Sequence, residues 1–236
     1  MTVLAGFEAY SGQHFLLLAI FVVGAVGIVL LGRRQRGTDS ARRFSRVLAL
    51  VIPCFTVPSQ AFQLTPGDFD LDSSLPLQLC DFAWVTAVWG LWTHQRLPVA
   101  LTYYWGLVLT SQGILTPSLG QEFPHPRFFA FWCMHLLIVW AALYLTLGLG
   151  IAPNWRTYRI TVALTAVWAV VVYVFDEVAD VNYGYLVRKP GSGSLLDPLG
   201  PWPVYVVAAL GILLAVWALM TWPWVAHARK EAPVSR

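Results

Sequence analysis

Two side chains in this sequence are equipped to do nucleophilic chemistry together, the thiol of Cys80 and the imidazole of His135. A thiol attacks a carbonyl as its thiolate, and an imidazole is the side chain that takes the proton near neutral pH. Directed at an acyl ester, the pair would form a thioester and pass the acyl group to a hydroxyl or to water. Gln78, Gln112 or Asn182 could donate to the developing oxyanion, and Tyr183 is a further candidate for substrate contact. Asp81 follows Cys80 directly, and adjacent helical positions point about 100° apart. It would therefore orient an imidazole from a neighbouring face or pair elsewhere. A second reading is that these polar groups hydrogen-bond one another and fix helix packing. Spacing alone leaves both readings open.

The elements that must position these residues are membrane helices. Of 236 residues, 58% are hydrophobic and 11% charged, against about 25% charged in an average soluble domain. Mean hydropathy is +0.63. Such a chain is neither disordered nor a nucleic-acid binder, and a net charge of +3 implies no polyanionic partner. Residues 1–13 contain Glu8 and no Lys or Arg, so no signal-peptide n-region is visible and the first apolar run reads as a retained anchor. A bilayer core needs about 20 apolar residues per helix. Seven stretches qualify, at residues 14–31, 44–63, 75–92, 97–116, 128–149, 158–178 and 203–222. The second is interrupted by Pro53 and Pro58, which a bundle can accommodate.

Basic residues set the direction. With seven crossings, all but three of the 15 Lys and Arg fall on one side, including Arg33, Arg34, Arg36, Arg42, Arg43, Arg46 and Arg236. Only Arg127, Arg188 and Lys189 fall on the other. Basic loops stay in the cytoplasm. The expected fold class is therefore all-α: a seven-helix transmembrane bundle forming one domain over residues 1–236, N-terminus outside and C-terminus cytoplasmic. Counted from the outer helix ends, Cys80 lies roughly 8 Å deep and His135 roughly 10 Å. Gln60 and Gln112 fall in the same outer layer, and Asp176 and Glu177 are expected at the water interface. Arg127, Arg188 and Lys189 would hold a phosphate at the outer mouth or anchor the interface by snorkelling. Cys54 and Cys133 read as small apolar fillers.

Four segments carry a family likeness: LPLQLCDFAW (75–84), YYWGLVLTSQGILTP (103–117), FPHPRFFAFWCMHLLIV (123–139) and NYGYLVRKPGSGSLLDPLGPWPVY (182–205). Over residues 10–222 the chain resembles the YwaF-type, or TP-series, bacterial integral membrane proteins. It is similar, more distantly, to the eukaryotic transmembrane-protein-164 family. That resemblance implies a cysteine-dependent acyltransferase of phospholipids in a bacterial cytoplasmic membrane, with Cys80 as nucleophile and His135 as base. Gln78 departs from the family pattern, in which a His is common, and this bears on whether the chain is catalytic.

Two other readings stand beside the enzyme. One is a non-enzymatic seven-helix sensor or carrier of a lipid-like ligand, with Cys80 merely lining a pocket. The other, less supported, is a transporter, since the inner part of the spans lacks the ionisable residues a relay needs. No cofactor is expected: Cys80 and His135 offer only two soft-metal ligands, and no phosphate loop follows a strand. Membrane lipids are the expected partners. Nothing in the sequence marks a protein partner or an oligomeric state.

Overall fold

Apolar runs with their polar ends capped leave the backbone one way to satisfy its hydrogen bonds in lipid, and the chain is helical throughout its long elements. The computed structural model describes residues 7–117, 119–191 and 193–231. Arg236, counted above with the basic residues, lies outside them. The chain divides into two compact units, Met1–Ile151 and Ala152–Arg236.

In the first unit, α1 (Gly12–Gln35) starts at Ser11, whose hydroxyl accepts the His14 N–H. Gly37, at φ +78°, turns the chain into α2 (Asp39–Gln63). Pro53 and Pro58 do not break α2. The Thr56 hydroxyl bonds back to Ile52 O and the Cys54 thiol to Leu50 O, so polar groups in this stretch are spent on the helix itself. After loop 64–78 comes α3 (Leu79–Thr93), closed by His94 in the left-handed region at φ +54°. α4 (Arg96–Tyr104) runs on through a π-helical segment, Trp105–Thr110, into the short α5 (Ser111–Leu115). α6 (Pro126–Leu143) ends in a second π segment, Tyr144–Gly148.

All seven expected stretches overlap helical segments, but α2 starts earlier, at Asp39, the seventh runs on to Glu231, and the third starts late. The third begins as helix at Leu79, not Leu75. Pro76 lacks an N–H and biases Leu75 away from helical backbone, so the helix waits for a cap. At 15 residues, α3 is about 22 Å long. Five helices are long and apolar enough to cross a membrane: α1, α2, α6 with its π segment, α7 and α8. α1 turns Phe15, Leu16, Val22, Val23 and Val26 outward, a face suited to lipid and not to water.

The core of the first unit gathers around Tyr144, which packs with Ile52, Ala87, Leu91, Val99 and Leu145 from α2, α3, α4 and the end of α6. The Tyr144 hydroxyl donates to Gln35 Oε1 at 2.7 Å. α1 lies close against α6 and its π segment at two glycine contacts. Gly24 sits under the Trp140 ring, whose indole N–H donates to Phe21 O at 3.1 Å. Gly32 and Gly148 meet backbone to backbone. Arg33 Nε donates to Leu147 O at 3.4 Å, and Arg36 donates to Gly148 O at 3.1 and 2.8 Å. These bonds satisfy carbonyls that the end of α6 leaves open.

His94 joins α3 to α2 through a 2.7 Å hydrogen bond between its Nε2 and Ser45 Oγ. Burial, and then the Arg42 guanidinium, hold this imidazole below its ordinary value of 6.5. The fold therefore prefers neutral His94, and the unfolded chain binds more protons as pH drops below about 6.5. Stability present above that pH is lost as pH falls toward the folded value. The detergent-solubilised protein should thus lose Tm between pH 7.5 and 5.5, and His94→Gln should flatten that slope; equal slopes would remove His94 as its source.

In the second unit, α7 (Trp155–Ala179) starts at Asn154, whose Oδ1 accepts the Thr157 N–H at 2.9 Å. It buries Thr157, Thr161 and Thr165 along one stripe, and the latter two hydroxyls bond back to carbonyls one turn earlier. α8 (Val204–Glu231) packs with it.

Candidate functional site

The start of α3 is built by a reciprocal cap. Gln78 takes extended backbone, and Asp81 Oδ2 accepts its N–H at 2.9 Å, the acidic half of a capping box. Asp81 is thereby engaged by its own helix, and Gln78 is the residue before the first turn. Cys80 stands in that first turn, half-buried, beside the open N–H groups that begin any helix.

His135 is buried on α6 at 5% exposure. Its Nδ1 lies 2.7 Å from Phe131 O. A carbonyl oxygen only accepts, so Nδ1 holds the proton, and in the neutral ring Nε2 holds the lone pair. The Phe131 ring lies over the imidazole, with centroids 4.1 Å apart at 31°. Against the Cδ2–Nε2 bond of the ring lies the backbone of Gly113, where a Cβ would sit 2.6 Å from both atoms. Nε2 makes no hydrogen bond among the described residues, and none joins it to Cys80. The imidazole is thus tautomerically set as a proton acceptor, its acceptor atom without a hydrogen bond and packed against Gly113.

The amide of Gln112 is turned onto its own helix, with Nε2 donating to Val108 O at 3.2 Å. Ser111 likewise donates to Leu107 O and Val108 O. The buried Thr110 hydroxyl and Trp132 indole N–H lack partners among the described residues, and each is an uncommitted donor. Gln60 is used similarly to Gln112, donating to Ser74 O at 2.6 Å. Arg127 pairs with Asp68 at 3.6 Å, tying the start of α6 to loop 64–78. A phosphate there would compete with that carboxylate.

The candidates of the second unit build a loop. Asn182 Nδ2 donates to Arg188 O at 2.8 Å and its Oδ1 accepts the Arg188 N–H at 3.2 Å. Both ends of the amide are engaged there. Tyr183 is buried and its N–H donates to Asp176 Oδ1 at 2.9 Å. Asp176 is therefore buried, not interfacial as expected, because its carboxylate anchors this turn; Glu177 is exposed. Gly184, at φ +65°, leaves room for the Trp168 ring, which a Cβ would meet at 2.4 Å. Arg188 pairs with Asp180 at 3.5 Å, and Lys189 donates to Asp197 O at 3.0 Å while lying 5.5 Å from the Tyr205 ring. Among the described residues, no three His, Cys, Asp or Glu side chains converge as a metal site requires.

Residues 9–221, spanning both the Cys80 and His135 segments and the loop of the second unit, match the TMEM164 family. The chain belongs to the TMEM164 family. No curated protein and no solved structure matches it. Family and apolar helices together make it a multi-pass membrane protein.

Two residues of this TMEM164-family chain escaped the sequence reading. Gly113 had no local turn to announce it; its reason is the imidazole of another helix. His14 is fully buried, with Nδ1 accepting the Tyr10 N–H at 2.8 Å and Nε2 facing Ile114 O at 2.8 Å. The first bond fixes the proton on Nε2, so His14 donates to the carbonyl next to Gly113. It braces the turn that covers His135. A lone His at the head of an apolar run was its only signal.

Proposed function

We propose that this TMEM164-family protein is a cysteine-dependent acyltransferase acting on phospholipid acyl esters near the outer leaflet, in the YwaF-type bacterial branch and in the cytoplasmic membrane. The observation that carries it is His135: a buried imidazole with its proton fixed on Nδ1 and its Nε2 lone pair unengaged. Such a group is prepared to accept a thiol proton and return it.

In this reading Nε2 takes the Cys80 proton and the sulfur adds to the ester carbonyl. The tetrahedral intermediate collapses to a thioester on Cys80, and the departing lysophospholipid oxygen takes the proton back from His135. An acceptor hydroxyl then gives its proton to Nε2 and attacks the thioester, which releases the thiol. Water in place of the acceptor makes the protein a thioesterase or lipase. Gln112 has one amide N–H already spent, so the uncommitted Thr110 hydroxyl is the better donor for the oxyanion.

Seven crossings with the N-terminus outside fit the charge distribution and also the short α3. With His94 at the inner boundary, Cys80 stands about 21 Å up a bilayer core of about 30 Å. That level is about 9 Å beneath the outer edge of the core, where ester carbonyls lie, so the substrate ester would descend along α3 to meet the sulfur. The absence of a thiol–imidazole hydrogen bond among the described residues favours the second reading, a lipid-like ligand binder in which Cys80 is only lining.

Cys80→Ala separates the two. Over-expressed wild type should alter cellular phospholipid acyl profiles and form a hydroxylamine-sensitive acyl adduct. Cys80→Ala should lose both effects, since no nucleophile remains to carry the acyl group. Unchanged profiles and a fully functional Cys80→Ala protein would establish the ligand-binding reading instead.

A further inference from the structure

Where α2 begins and α3 ends, four polar or aromatic side chains converge without a counter-charge. Arg42 and Arg46 lie one turn apart on α2, both exposed and both without an ion pair among the described residues. Arg46 Cζ stands 5.7 Å from the centre of the Trp92 ring. His94 is held by Ser45 through Nε2, and its Nδ1 makes no hydrogen bond among the described residues. These residues, with Leu91 and Thr93, line one recess, and no Asp or Glu is among them. Asp39, a turn before Arg42, makes no ion pair with it.

We infer that the mouth of this recess binds the phosphate of an anionic phospholipid, with Arg42 and Arg46 as its charged donors and His94 among its lining residues. Arginine suits the task, since its planar fork reaches two phosphate oxygens at once. Arg42 disfavours a second positive charge on His94, and a bound phosphate relieves that conflict. The choice of a lipid over a soluble phosphate comes from what adjoins the recess. Just beyond Arg46, α2 turns apolar, and Val47 and Leu50 are each 58% exposed. Trp92, half-exposed at 53%, lies alongside, as aromatic residues do at a membrane boundary. A phosphate in the recess would lay its acyl chains on Val47 and Leu50, surfaces a free anion leaves unused. This site lies at the opposite end of α3 from Cys80 and does not depend on the proposed acyl transfer.

The test is native mass spectrometry of the full chain in neutral detergent, titrated with dioleoylphosphatidylglycerol, dioleoylphosphatidylcholine or sodium phosphate. Wild type should retain phosphatidylglycerol about tenfold more tightly than phosphatidylcholine, as two arginines near a headgroup allow. Arg42→Gln with Arg46→Gln should abolish the preference. Arg34→Gln with Arg43→Gln removes the same charge outside the recess and should preserve it. All four side chains are exposed, so neither pair is needed to fold the helices. Equal loss in the two double variants would reduce the effect to general basic charge and overturn the site. So would wild type without a preference. Inorganic phosphate binding as tightly as phosphatidylglycerol would overturn the lipid assignment.

Discussion

Gly113→Ala is expected to lower acyl transfer by about 10²-fold with KM little changed, the loss typical of a catalytic group displaced by about 1 Å. The added Cβ would sit 2.6 Å from both Cδ2 and Nε2 of His135, closer than carbon and nitrogen approach without bonding. The ring has nowhere to retreat. Phe131 stacks on it at 4.1 Å, and Nδ1 is bound to Phe131 O. Relief requires either swinging the imidazole, which moves Nε2 from its position, or lifting α5 away from α6. Transfer of a labelled acyl chain between phospholipids gives the rate, and a thermal melt distinguishes the two routes. A swung ring leaves Tm within a few degrees of wild type, and a lifted helix does not. A Gly113→Ala protein with wild-type rate would show that His135 is not the base. Gly120 offers a comparison, because a Cβ there meets nothing within 4 Å.

The largest effect on stability is expected at the backbone contact between α1 and the end of α6. A Cβ on Gly32 would lie 2.7 Å from Gly148 Cα, and one on Gly148 would lie 3.0 Å from Gly32 Cα. The obstructing atoms are main chain, so no side chain can step aside. In lipid, where helices associate by close packing and not by the hydrophobic effect, small residues at such a contact are what permit association. Gly32→Val should cost about 3 kcal/mol, at the upper end for overpacking, because it also pulls Arg36 from Gly148 O and Gln35 from Tyr144. For a chain of this size that is about 6–12 °C in Tm, read from tryptophan fluorescence during heating in detergent. Gly27→Ala, on the same helix with nothing within 4 Å, should be neutral or add up to about 1 kcal/mol through helix propensity. Equal melts for the two variants would show that α1 does not depend on this contact.

These two glycines mark the boundary of what the sequence discloses. Helix placement was legible because hydropathy is a local property: each apolar stretch had nowhere else to put its backbone. Even α2 ran unbroken through Pro53 and Pro58. The start of α3 was missed by four residues because it depends on Pro76 and on an Asp81 cap, which act against a run of apolar residues that looks continuous. Cys80 and His135 were visible as chemistry-bearing types. Their surroundings were not, since Gly113 and His14 come to His135 and its covering turn from other helices. Gln112, Asn182 and Asp81 looked like donors and acceptors for a substrate. The structure turns each onto neighbouring backbone, where a buried polar group spends itself first. Asp176 was misjudged for the same reason: nearness to a helix end suggested water, and a turn seven residues on claims its carboxylate.

The grip of Arg36 on Gly148 joins positions 112 residues apart, and this sets a birth order. A ribosome adding about 5–20 residues each second needs on the order of ten seconds to make that interval. Throughout it the guanidinium groups at the end of the first helix still lack the carbonyls that will hold them. Maturation of the amino-terminal end is therefore a late event, completed only after the sixth helix is delivered, and a pause in translation anywhere before residue 148 would prolong its exposure to membrane quality control.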